Sequence, residues 1–165
     1  MRAIASLNEL TSVEFAQALR PLFEAAEPLA NALYSARPFA SYEELIDRAE
    51  ALANAMSPDD HVAVLSAHPR IGASPAELSA FSYREQGYAN QAAADVRELE
   101  RLAALNREYE KRLGFRFVVF VNKRPRAELI PVFEARLHNA REQELRTGLH
   151  EMFLIARDRL TNLSA

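Results

Sequence analysis

The chain has no cysteine and no tryptophan, and only four glycines among 165 residues. Without cysteine there are no disulfides, thiolate metal sites, iron–sulfur clusters or cysteine nucleophile. Histidine is scarce too: His61, His68, His138 and His150 are the full set, and no two stand three or four residues apart. A zinc-binding pair on one helix face is therefore missing. An excess of positive charge is also lacking. Lys and Arg number 20 against 23 for Asp and Glu, a net −3, which argues against a nucleic-acid or anionic-membrane partner. No apolar run approaches the roughly 18 residues that cross a bilayer. The start at Met1 to Ser6 turns polar at once, unlike a signal peptide, and Asn162-Leu163-Ser164-Ala165 is not a peroxisomal address. The expectation is a soluble, cytoplasmic protein with one domain over 1–165, long enough to bury a core.

What is present leans helical. Hydrophobic residues make up 49% of the chain, and Ala, Leu, Glu and Arg are frequent. Helix starts are marked at Thr11 before Glu14, Ser41 before Glu44, Ser57-Pro58, and Ser74-Pro75 before Glu77. Each offers a hydroxyl to cap a first turn, with an acid or a proline suited to the positions after it. Pro21, Pro28 and Pro38 are expected to break the N-terminal stretch into short pieces. Leu45, Ile46, Ala49, Leu52, Ala53 and Met56 recur at spacings of three and four, as one helical face does, and Tyr42 leads them. Val96, Leu99, Leu102, Tyr109 and Leu113 form a second face, ending at Gly114. A third runs from Arg141 to about Leu160 through Leu145, Leu149, Met152, Phe153 and Ala156. Phe115 to Val121 is aromatic and β-branched like a strand, but one strand cannot make a sheet. It is read as a buried extended segment feeding a helix over Arg126 to Leu137. The fold class is all-α.

Three polar residues interrupt this pattern. At ~100° per residue, Arg159 falls on the stripe of Met152 and Ala156, while Arg157 falls outside it. A guanidinium facing a core pairs with a carboxylate of the protein, binds an anionic ligand, or snorkels to water. Glu85 shares a face with Leu78 and Phe81, and Ser82 lies one turn earlier, if the helix runs through Gly87. A carboxylate held there is partly desolvated, which raises its pKa toward a range useful for proton transfer, unless it is structurally paired or in water. His68 precedes Pro69, so it should end the preceding helix in an extended conformation. Its imidazole is either a proton-exchanging group at a fixed corner or a surface turn residue. His61, His138 and His150 are read as structural or solvent-facing.

Four blocks carry a resemblance. They are Ala67-His68-Pro69-Arg70-Ile71-Gly72; Ser82-x-x-Glu85-Gln86; Leu105-Asn106-x-x-Tyr109-Glu110-x-x-Leu113-Gly114-Phe115-x-Phe117-Val118-Val119; and Ile155-Ala156-x-x-Arg159-Leu160. In this order, over a little over half the chain, the pattern resembles the 2-oxo-4-hydroxy-4-carboxy-5-ureidoimidazoline (OHCU) decarboxylases of the urate-to-allantoin route. Arg141-x-x-Glu144-Leu145 also resembles that family. The chain departs from it at Glu27-Pro28-Leu29, where a Ser-Pro-Trp segment is usual, and at Asn122 to Pro125.

The resemblance implies an all-α homodimer that acts on a small ureidoimidazoline without metal or cofactor. It implies His68, Glu85 and Arg159 as catalytic residues. By the same analogy Pro69, the segment Ser82, Tyr83, Arg84 and Gln86, and the segment Phe117, Val118, Val119, Phe120 and Val121 bind substrate, the latter through backbone groups. The alternatives are a cofactor-free lyase or hydrolase acting on another ureido or purine-ring compound, and a helical binding module without activity.

Overall fold

The computed structural model describes residues 1–73, 82–83, 86 and 96–164. Eight helices are formed by these residues: α1 (Ile4–Asn8), α2 (Ser12–Phe23), α3 (Glu27–Ser35), α4 (Tyr42–Asn54), α5 (Pro58–Ser66), α6 (Val96–Leu113), α7 (Arg126–Leu137) and α8 (Arg141–Ser164). No strand occurs among the described residues, so the all-α expectation holds.

The expected caps are in place where they can be seen. The Thr11 side chain accepts from the Glu14 amide while the Glu14 carboxylate accepts from the Thr11 amide, a reciprocal capping box. Ser41 and Ser57 cap α4 and α5 through the amides of Glu44 and Asp60, and Pro58 opens α5 at its first position. The start expected at Ser74-Pro75, with Leu78, Phe81 and Gly87 after it, lies outside the described residues. Gly114 follows α6 with φ 84° and donates to the Glu110 carbonyl, the left-handed ending that glycine adopts without strain.

Two expectations are corrected. Pro21 does not break the chain but lies inside α2, which continues to Phe23. It sits near the end of that helix, so the missing N–H removes one bond and little helix remains beyond it to destabilise. Val96, expected on the buried face of α6, is 66% exposed at the helix's first residue. The apolar face begins in earnest at Leu102 and runs through Leu105, Tyr109 and Leu113.

The last helix organises the rest. At 24 residues α8 is about 36 Å long, and it packs against α2, α4 and α5. Its buried Leu145, Leu149, Met152, Phe153, Ala156 and Leu160 are the stripe read from the sequence. Burying each large apolar side chain stabilises the fold by roughly 1.5–3 kcal/mol. Gly148 lets α5 approach α8 closely, since a Cβ there would meet Leu65 at 3.0 Å.

The stretch after Gly114 forms neither helix nor strand. Phe115, Phe117, Val118, Val119 and Val121 are buried. A polar network at α7 and α8 holds it there. Glu144 is 0% exposed and accepts from Arg136, Asn139 and the Tyr109 hydroxyl. Arg136 in turn donates to the Val118 carbonyl at 2.9 Å and lies over the Phe117 ring at 4.4 Å. Phe117 stacks on Phe133 and meets Tyr109 edge-on. The apolar segment is thus fixed by one buried carboxylate and one guanidinium, whose charges satisfy each other.

Candidate active site

His68 stands two residues beyond α5, where Pro69 disfavours further helix. The corner is held from several sides. Its carbonyl accepts from Arg116 at 2.6 Å, and Arg70 makes a two-point ion pair with Glu110, both contacts at 2.7 Å. Asn106 on α6 donates to the Ile71 carbonyl, and Gln86 bonds both the Gly72 amide and the Arg70 carbonyl. Gly72 itself takes φ 76°, and a Cβ there would meet Leu102 at 3.1 Å, so both conformation and space favour glycine. Gln86 of the second motif block and Asn106 and Glu110 of the third therefore fix the histidine corner.

The imidazole is 3% exposed. Nδ1 lies 3.2 Å from the Val64 carbonyl, which can only accept, so the proton resides on Nδ1. Nε2 then carries the lone pair, and it has no hydrogen-bond partner among the described residues. Burial and then the nearby Arg159 charge depress the imidazole pKa, with Arg116 adding to this. Glu24 and the Val64 carbonyl oppose them, and the outcome is about 4. At neutral pH His68 is an uncharged base.

Arg159 is 3% exposed on the inner stripe of α8, while Arg157 points outward to Asp47 and Glu50. The helical-face reading of the two arginines therefore holds. Of the partners open to Arg159, the structure supplies a carboxylate: Glu24 accepts at 2.8 Å, with the Ser82 hydroxyl at 3.2 Å and the Pro21 carbonyl at 3.4 Å. Burial pushes the Glu24 carboxyl up, but the Arg159 charge and the Ser82 hydrogen bond outweigh it and hold the group below the usual carboxylate range.

His68 and Arg159 line one cavity of about 30 Å3. Its wall includes Pro69, Ser82, Gln86, Phe117, Val118, Val119 and Val121. Two expected members are absent from the described lining. Tyr83 is half-buried, and so is Phe120, whose amide donates to Glu151 at 2.7 Å and whose carbonyl accepts from Arg124. Glu85 and Arg84 lie outside the described residues. A wider cavity of about 250 Å3 opens between α2 and α3, with Glu24 in its wall but neither His68 nor Arg159. Among the described residues no three His, Asp or Glu side chains converge to hold a metal ion, and no helix is long and apolar enough to cross a membrane.

Sequence reasoning missed Glu24. Its only signal was the need of Arg159 for an anion, and nothing local marks which of the 23 Asp and Glu supplies it. The remaining histidines are as read: His61 bonds the Ala53 carbonyl, while His138 and His150 are exposed.

Comparison with known proteins agrees with this picture. A family model described as OHCU decarboxylase matches residues 8–161. A mouse 2-oxo-4-hydroxy-4-carboxy-5-ureidoimidazoline decarboxylase is 31% identical over 97% of this chain and 92% of its own length. A uric acid degradation bifunctional protein from Bacillus sp. strain TB-90 is 27% identical over 99% of this chain. The chain spans only 32% of that longer protein. A solved structure of an OHCU decarboxylase in the presence of (S)-allantoin superimposes with a TM-score of 0.70 at 26% identity, covering 87% of this chain and 95% of that one.

Proposed function

The chain belongs to the OHCU decarboxylase family, and we propose that it converts OHCU to S-allantoin and CO2 without metal or organic cofactor. The observation that carries this is the pairing of an uncharged imidazole nitrogen, without a partner among the described residues, with a buried guanidinium on one small cavity. The reaction needs a base, a cation for the carboxylate or the developing oxyanion, and little else.

In this reading the bond from the ring carbon to the carboxylate breaks, and CO2 leaves. The electron pair passes into the ring as an enolate-like intermediate. The 4-hydroxyl gives up its proton to become the carbonyl of allantoin, the neighbouring ring carbon is protonated, and water supplies the one further proton, taken up by the ring nitrogen that receives the electron pair. His68 Nε2 accepts the hydroxyl proton, because it is the neutral nitrogen with a free lone pair. Returning that proton to one ring face yields one enantiomer. Arg159 holds the carboxylate or the oxyanion, an attraction strengthened by its apolar surroundings. Glu85 is the further catalytic carboxylate, orienting His68 or bonding the substrate.

Pro69, Ser82, Tyr83, Arg84, Gln86 and the stretch from Phe117 to Val121 are assigned to substrate binding. Within the last, the Val118 and Val121 carbonyls already accept from Arg136 and Arg124. Val119 makes no backbone hydrogen bond among the described residues, which suits it to read the ureido or ring edge. A space of 30 Å3 holds roughly one or two waters, so the wall must part to admit the ring. The protein works in this reading as a single domain over 1–165, a homodimer in the cytoplasm.

The test is turnover of OHCU made in situ from urate. The reading expects faster loss of OHCU when the protein is present. A helical binding module would leave the spontaneous rate unchanged, and a lyase for another ureido compound would act only on a different member of a substrate panel.

A further inference from the structure

We propose that Glu24 is a positioning residue of this site, which holds Arg159 in place and acts on His68 through charge. For its kinetic arm the proposal rests on the decarboxylase reading. Glu24 is the residue following α2 and takes φ 55° with ψ −143°, a conformation that strains a residue bearing a Cβ. Glycine would sit there freely. A glutamate side chain at that corner instead gathers two distant groups. One carboxylate oxygen accepts from Arg159 at 2.8 Å and from the Ser82 hydroxyl at 2.7 Å.

The end of α2 adds to this. The Pro21 carbonyl, in its last turn, also accepts from Arg159, and the C-terminal end of the helix dipole favours a cation there. Both groups bound by Glu24, Ser82 and Arg159, line the cavity with His68, whereas Glu24 is not part of that lining. It therefore works through them and not on the substrate.

The charged and titratable groups that bear on His68 are Arg159 from α8, Arg116 from the stretch after α6 and Glu24 from the end of α2, with the Val64 carbonyl of α5 on Nδ1. Among these described groups Glu24 supplies the negative charge. Without it, two guanidinium charges would act on the imidazole unopposed, and His68 would hold a proton less well.

Two variants separate charge from shape. Glu24→Gln keeps an oxygen for Arg159 and Ser82 but no charge, and Glu24→Asp keeps the charge one methylene shorter. With helical circular dichroism unchanged, Glu24→Gln should lower kcat/KM for OHCU by about tenfold or more, and Glu24→Asp should retain more activity than Glu24→Gln. The His68 ring resonances, followed by NMR as pH is lowered, should titrate at lower pH in Glu24→Gln than in the wild type. A Glu24→Gln rate within about twofold of wild type, or a His68 titration that does not move, overturns the assignment. A titration difference between wild type and Glu24→Gln, in a protein that never turns over OHCU, overturns the decarboxylase reading and leaves the Glu24 assignment standing.

Discussion

Arg159 and Glu24 meet at 2.8 Å across 135 residues of sequence, with side chains 3% and 11% exposed. That ion pair ties the end of α2 to the last helix beside His68. Breaking a buried pair by removing one partner leaves an uncompensated charge, which costs far more than the pair contributes relative to an apolar replacement.

Arg159→Ala should therefore destabilise the fold by about 3–5 kcal/mol, measured by urea unfolding. Arg159→Lys keeps the charge but loses the planar fork, and should lower turnover of OHCU more than it lowers stability. Arg157→Ala is the control. Its partners Asp47 and Glu50 are on the surface, so the loss should be at most about 1 kcal/mol, with turnover unchanged. Loss of turnover in Arg157→Ala alone would invert the assignment of the two arginines.

Acid should destabilise the protein through His68. The folded imidazole titrates at about 4 against 6.5 for the free group, so between those values the unfolded chain binds the extra proton. Stability from this group is complete above about pH 6.5 and falls as pH drops toward 4, by on the order of 3 kcal/mol. Glu24, with its lowered pKa, adds a loss at still lower pH, as it becomes protonated. Unfolding at a series of pH values should show the slope in wild type and its absence between about pH 6.5 and 4 in His68→Asn. An equal slope in both would contradict the buried neutral imidazole.

The Glu144 network should prove structural. Glu144→Ala leaves Arg136 buried beside Phe117 without its carboxylate, a loss of about 3–5 kcal/mol. Tyr109→Phe removes only one hydroxyl from the same carboxylate and should cost about 1–3 kcal/mol. Urea unfolding checks both. The result that would count against the network is a Glu144→Ala protein as stable as wild type.

Much of this was legible in residue patterns because it is local. The capping box at Thr11 and Glu14, the burial of the apolar residues between Phe115 and Val121 and the inward turn of Arg159 all follow from neighbours within a few positions. Glu24 was not, because its significance comes from a partner on another helix and from a backbone corner that residue type does not announce. Pro21 misled for a related reason. A proline signals a lost hydrogen bond, but whether the helix survives depends on how little of it lies beyond.

The most direct test follows S-allantoin by circular dichroism after OHCU is generated from urate, comparing wild type with His68→Asn. The account predicts rapid appearance of the S-allantoin signal with wild type, and with His68→Asn only the slow spontaneous course, although the variant stays helical. A near-normal rate of S-allantoin formation by His68→Asn would contradict it.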